Sequence, residues 1–152
     1  MAYSTAEARQ EMLDTIAVAI DDVAMALADL GEAFELLDDT TAERLEGELF
    51  KPVQGACGRL KRTHGGFAER CGLAPGAFAS ATPGSPSHGV RGFVDRAGVA
   101  AARADSRLAE LQDTLRPVEV GDAELRAGLS EVRRLLDEVP GRSRLFLRTL
   151  GR

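Results

Sequence analysis

Large apolar residues recur along positions 13–37 with a regularity that permits one local structure. Leu13, Ile16, Ile20, Val23, Leu27, Leu30, Phe34 and Leu37 follow one another at alternating steps of three and four. That heptad spacing puts all eight on one face of an amphipathic α-helix. Ser4 with Glu7 three residues on reads as a capping box, so the helix is expected over about 5–38. Small residues flank the stripe on both sides, Ala17, Ala24 and Gly31 on one, Ala19, Ala26 and Ala33 on the other. Such flanks widen the buried face and let neighbouring helices come close.

Thr40 and Glu43 form a second capping box, so a second helix is expected over about 41–71 after a short turn. Its stripe is Leu45, Leu49, Val53, Ala56, Leu60, His64, Phe67 and Cys71. Pro52 should kink it, and Gly47, Gly55, Gly58, Gly65 and Gly66 each cost about 1 kcal/mol relative to alanine. Gly65-Gly66 is expected to stop the main helix. Residues 72–89 are rich in Gly, Pro and Ser and read as a long loop, either a crossover or a flap.

A third helix over about 90–116 is expected to start at Ser87 and end at Pro117. Its stripe, Val90, Phe93, Ala97, Ala101, Ala104, Leu108, Leu111 and Leu115, is alanine-rich first and leucine-rich later. After a turn at 118–121, Asp122 can cap a fourth helix over about 122–139. Pro140-Gly141 should break it, leaving a short C-terminal helix at 142–150. The expectation is a single all-α domain over 1–152, an antiparallel up-down-up-down four-helix bundle with its long loop between helices two and three.

At 152 residues with 44% hydrophobic and 28% charged, one domain can bury a core unaided by metal or disulfide. A net charge of -5 and a pI near 5.1 speak against nucleic acid as a partner, which calls for basic surface. The N-terminus lacks a basic segment followed by an apolar one, so no secretory signal is expected. The apolar run from Ile16 to Ile20 is far short of the roughly 20 residues of a membrane span. No membrane association is expected, and the cytoplasm is the expected compartment. Cys57 and Cys71 would lie about 21 Å apart on one helix, too far to bridge, so both are expected reduced.

Charge is unevenly spread. Residues 1–39 carry ten acids and one base, Arg9, while residues 140–152 carry four arginines and no acid. One reading is intramolecular, with an acidic first helix docked among neutral to basic ones. The other makes Asp14, Asp21, Asp22, Asp29, Glu32 and Glu35 an acidic face for a basic protein partner. Val18, Met25 and Leu36 lie off the main stripe, and an outward apolar line suggests a homo-oligomer. The candidate interaction face is therefore Val18, Asp22, Met25, Asp29 and Glu32.

Motifs for chemistry are sparse. Helical di-metal sites use Glu-x-x-His, but Lys61 and Ser85 stand three before His64 and His88. Cys57, His64 and Cys71 are about 10.5 Å apart per step on a helix, too far to share an ion. No metal and no cofactor is expected, and catalytic residues are not evident. His64, followed by Gly65 and Gly66, resembles the layout of histidine phosphotransfer domains over a handful of residues. The resemblance implies a phosphoryl-accepting His64, although Phe67 and Ala68 stand where that family has Lys and Gly.

The leading expectation is a non-enzymatic helical interaction or scaffold protein, self-associating through its first helix. The alternatives are a small-molecule pocket near Cys57, His64, Phe67 and Phe93, and phosphotransfer through His64.

Overall fold

A computed structural model describes residues 5–120 and 122–150. Tyr3, Ser4 of the first capping box, Gly121 of the turn at 118–121 and Arg152 of the tail lie outside the described residues. Among those described the chain is all-α, with no strand. Five helices have twelve or more residues: α1 (Thr5–Glu35), α3 (Lys51–Cys71), α4 (Gly89–Asp113), α6 (Ala123–Asp137) and α7 (Val139–Leu150). Two shorter ones are α2 (Asp39–Leu45) and α5 (Arg116–Val120). No helix is long and apolar enough to cross a membrane among the described residues.

α1 buries its stripe, but the most deeply buried line is turned toward one alanine flank. Met12, Ile16, Ala19, Val23, Ala26, Leu30 and Ala33 are fully buried, while Leu27, Phe34 and Leu37 are half-buried. Ala19, Ala26 and Ala33 share the side of α1 that faces α4, and α4 presents Ala97, Ala100, Ala101 and Ala104, all buried. Small side chains on both helices permit close approach, and this is the most extensive helix pair in the fold. α1 stops at Glu35, before the expected 38. Leu36 and Leu37 tighten onto Ala33 and Phe34 carbonyls, and Asp38 is already extended at ψ 162 as the next N-cap.

That cap corrects the expected one at Thr40. Asp38 accepts from both the Thr41 backbone N–H and the Thr41 hydroxyl, each at 2.9 Å, so α2 begins at Asp39. α2 and α3 form one rod interrupted by a π-turn over Glu46–Phe50, directly before Pro52. A proline has no N–H for the carbonyl four residues back and its ring crowds that carbonyl; a wider turn relieves the crowding. The orphaned carbonyl is Glu48's, and the Arg142 guanidinium of α7 donates to it at 3.3 Å. Gly65-Gly66 does not stop α3. The helix runs on to Cys71 and ends at Gly72, φ 68, with Leu73 N–H bonded to Ala68 O and Gly72 N–H to Glu69 O, a Schellman motif.

The third and fourth expected helices are also shifted. Ser85, not Ser87, provides the cap, accepting from the Ser87 N–H at the head of a 3₁₀ turn, Pro86–His88. α4 ends at Asp113 because Leu115 adopts φ 63. Pro117 does not terminate α4 but lies within α5, where a turn was expected. Asp122 caps α6 through the Leu125 N–H at 2.9 Å. α6 ends at Asp137, and Pro140-Gly141 sits in the first turn of α7, where a missing N–H has no intrahelical partner to lose.

Helix directions follow from residue pairs. Glu11 meets Arg116, Asp22 meets Arg103 and Arg107, and Asp29 meets Arg96, so α1 and α4 are antiparallel. Arg70 meets Asp122, while Thr63 lies against Gly128 and Gly55 against Leu135, so α3 and α6 are antiparallel. Ala24 and Leu27 share a groove with Cys57 and Lys61, and His64 lies level with Leu13 and Asp14, so α1 and α3 are antiparallel too. α3 and α4 therefore run the same way. This overturns the up-down-up-down expectation. Residues 72–85, extended, reach roughly 45 Å, more than the roughly 31 Å length of α3, so the connection can return along the helices instead of turning tightly.

Candidate functional site

The returning connection is a strap laid over the α1/α3 groove, and it covers His64 of α3, the residue with the most ambiguous chemistry. Near its start, the Phe78 ring meets the His64 ring edge-on at 5.0 Å, with Gly76 beside the same imidazole. An added Cβ at Gly76 would come within 3.1 Å of His64 Cε1, so only glycine lets the strap pass this close. Farther on, Ala79, Ser80 and Ala81 cross Ala24, Leu27 and Ala28. Ala24 of the other flank thus faces the strap, as Ala19, Ala26 and Ala33 face α4. At the far end the Gly84 N–H donates to Asp29 Oδ1 at 2.7 Å.

Asp29 is fully buried and also accepts from Arg96 Nε at 3.1 Å. One turn pair lower, Asp22 accepts from Arg103 Nε at 3.2 Å and Arg107 Nε at 2.7 Å. With Glu11–Arg116 at 2.7 Å, contributed by the start of α5, these pairs make an ion ladder along the α1/α4 seam and its continuation into α5. The ladder corrects two members of the expected interaction face. Asp22 and Asp29 are turned inward and engaged by arginines of the same chain, because the alanine contact brings α4 within reach. Exposed acids remaining on α1 include Asp21, Glu32 and Glu35. Val18 is 42% exposed, Met25 is half-buried and Glu32 is exposed.

The structure does not gather the expected pocket residues. Phe67 and Phe93 are core side chains, the latter edge-on to His88 at 5.9 Å. Cys57 alone borders a shallow groove of about 260 Å³ beneath the strap. Burial pushes the Cys57 thiol's pKa up, with Lys61 opposing, so it is held as thiol and not as the nucleophilic thiolate. Cys57 and Cys71 are both free. No group of three His, Cys, Asp or Glu that could hold a metal occurs among the described residues.

His64 is 4% exposed and its Nδ1 has no hydrogen-bond partner. A phosphoryl acceptor must be reachable, and here Phe78 covers the ring. Burial lowers its pKa below the ordinary histidine value, with Asp14 and the Leu13 backbone opposing. The folded chain therefore keeps the imidazole neutral to lower pH than the unfolded chain, which titrates at about 6.5. Below that pH the unfolded state binds the extra proton, so stability falls as the solution is acidified. Replacing His64 with glutamine is expected to flatten urea midpoints between about pH 7 and pH 5 relative to the parent. Equal slopes for the two chains would show that His64 carries no such linkage.

The arginine partners were missed in the sequence, yet a signal existed. Asp22 and Asp29 are seven apart, and so are Arg96 and Arg103, a complementary heptad spacing on two helices. No family model matches the chain, and neither a curated protein nor a solved structure does.

Proposed function

We propose that this chain is a non-enzymatic helical interaction module that associates with a second copy of itself through the outward side of the α1/α4 seam. The observation that supports this is apolar surface bordering a closed ion ladder. Val18 at 42% exposure and half-buried Met25 stand on one side, and Val99 at 53% stands on the other, between Arg96 and Arg103 on α4. Each acid of the ladder is engaged by one or two arginines, so the seam offers apolar side chains beside charges that are already partnered. A two-fold axis across such a strip would bring it against its own copy, the commonest closed symmetry for soluble assemblies. The cytoplasm, where both thiols stay reduced, is the compartment this reading assigns.

Light scattering on the full chain at tens of micromolar tests it. The expected mass is twice that of the chain, falling to that of the monomer for the V18D/V99D double variant with unchanged helicity. A monomeric parent at that concentration overturns the reading.

A further inference from the structure

We propose that the α3/α6 face, on the opposite side of the molecule from the α1/α4 seam, binds a small oxyanion of the phosphate type through Arg59 and Arg62. It is independent of self-association.

The argument starts from the glycines that make α3 a poor helix. Three of them stand four residues before an arginine: Gly55 before Arg59, Gly58 before Arg62 and Gly66 before Arg70. In a helix such pairs lie one above the other. A Cβ at Gly58 would sit 3.3 Å from Arg62 Nη1, and one at Gly66 would sit 3.0 Å from Arg70 Nη1. The missing side chains let these two guanidinium groups lie back along the helix while remaining exposed. Arg59, Arg62 and Arg70 line a groove of about 220 Å³ between α3 and α6, together with Thr63, Gly66 and Glu124.

The three arginines are not equally engaged. Arg70 is held by Asp122 and Glu124, each at 2.7 Å, and forms a neutralised wall. Arg59 and Arg62 have no ion pair among the described residues. Glu131 acts on Arg59 only from a distance, its carboxylate being taken by Arg134 at 2.7 Å. The Arg59 Nε is buried with no acceptor. With its Nε below the surface, Arg59 meets the groove with the terminal amino edge of its guanidinium, and a tetrahedral oxyanion presents the paired oxygens that such a planar fork fits. Arg62, one turn on, supplies a second fork to the same groove.

The test uses the full chain labelled with ¹⁵N-arginine and follows the guanidinium Nε–H signals during titration with inorganic phosphate, against sodium chloride at matched ionic strength. Saturable shifts of the Arg59 and Arg62 signals are expected, with Arg144 and Arg148 of α7 unmoved. R62Q, at an exposed position, should weaken binding roughly tenfold, the scale of one charge-assisted hydrogen bond, and R59A/R62A should abolish it. Should R59A/R62A fail to fold, R62Q alone decides. Shifts that do not saturate, that chloride reproduces, that move the α7 arginines equally, or that R62Q leaves unchanged overturn the site.

Discussion

Substituting alanine for Gly128 is expected to destabilise the protein by about 2 kcal/mol, although alanine is the better helix former by about 1 kcal/mol. At Gly128, α6 packs directly against Thr63 of α3. A Cβ there would lie 2.7 Å from Thr63 Cγ2 and 3.0 Å from Thr63 Cβ, with the hydroxyl oxygen nearer still. Rotating Thr63 cannot clear all three atoms, since its Cβ does not move with χ1 and its hydroxyl is held by the Arg59 carbonyl at 2.9 Å. The two helices must separate, loosening Val132 and Leu136 against α3. Urea unfolding measures the loss. In a Thr63→Ala background the same change should cost less than half as much, because two of the clashing atoms are gone. A Gly128→Ala chain more stable than its parent would mean that the helices do not approach this closely.

Exchanging Asp29 for alanine is the second large effect, a loss of about 2–3 kcal/mol. The carboxylate accepts from the strap at Gly84 and from Arg96 on α4. Without it the Gly84 N–H has no acceptor in place. Arg96 suffers less, because its side chain is 37% exposed and can turn to water, which keeps the loss below that of a fully enclosed pair. Asp29→Asn retains a carbonyl oxygen for Gly84 and should cost about half as much. Hydrogen exchange separates this from a general loosening: the Gly84 amide should lose its protection in the alanine variant and keep much of it in the asparagine one. Protection of Gly84 unchanged by alanine would show that the strap is anchored elsewhere.

What the sequence made legible was periodic. The stripe from Leu13 to Leu37 specified α1, and helix-length apolar patterns located α3, α4 and α6. Boundaries were lost wherever one short polar side chain competed with another. Asp38 outcompeted Thr40, and Ser85 outcompeted Ser87, since several residues in each stretch can accept the same N–H. Prolines misled for a related reason. Pro117 and Pro140 tolerate the first turn of a helix as readily as they end one, and Pro52 was absorbed by the Glu46–Phe50 π-turn. Helix order was not legible, because a long connection permits either direction for the helix that follows. The candidate site fared worst. Asp22 and Asp29 were visible as acids on the outer side of the stripe, but their burial depends on how far α4 leans over α1, which is decided by alanines on both helices.

The parallel course of α3 and α4 has a kinetic consequence. In a bundle whose successive helices zip up as neighbours, most contacts are local and closure is fast. Here the broadest pairing joins α1 to α4, and the next joins α3 to α6, so the α1/α3 hairpin and the α4/α6 hairpin must find each other across the whole intervening segment before the alanine and glycine contacts can form. Contacts between residues so far apart in the chain carry a loop-closure entropy that is met before they reward it. This chain should therefore fold more slowly than an up-down bundle of its size, with its two hairpins forming early and their docking setting the rate.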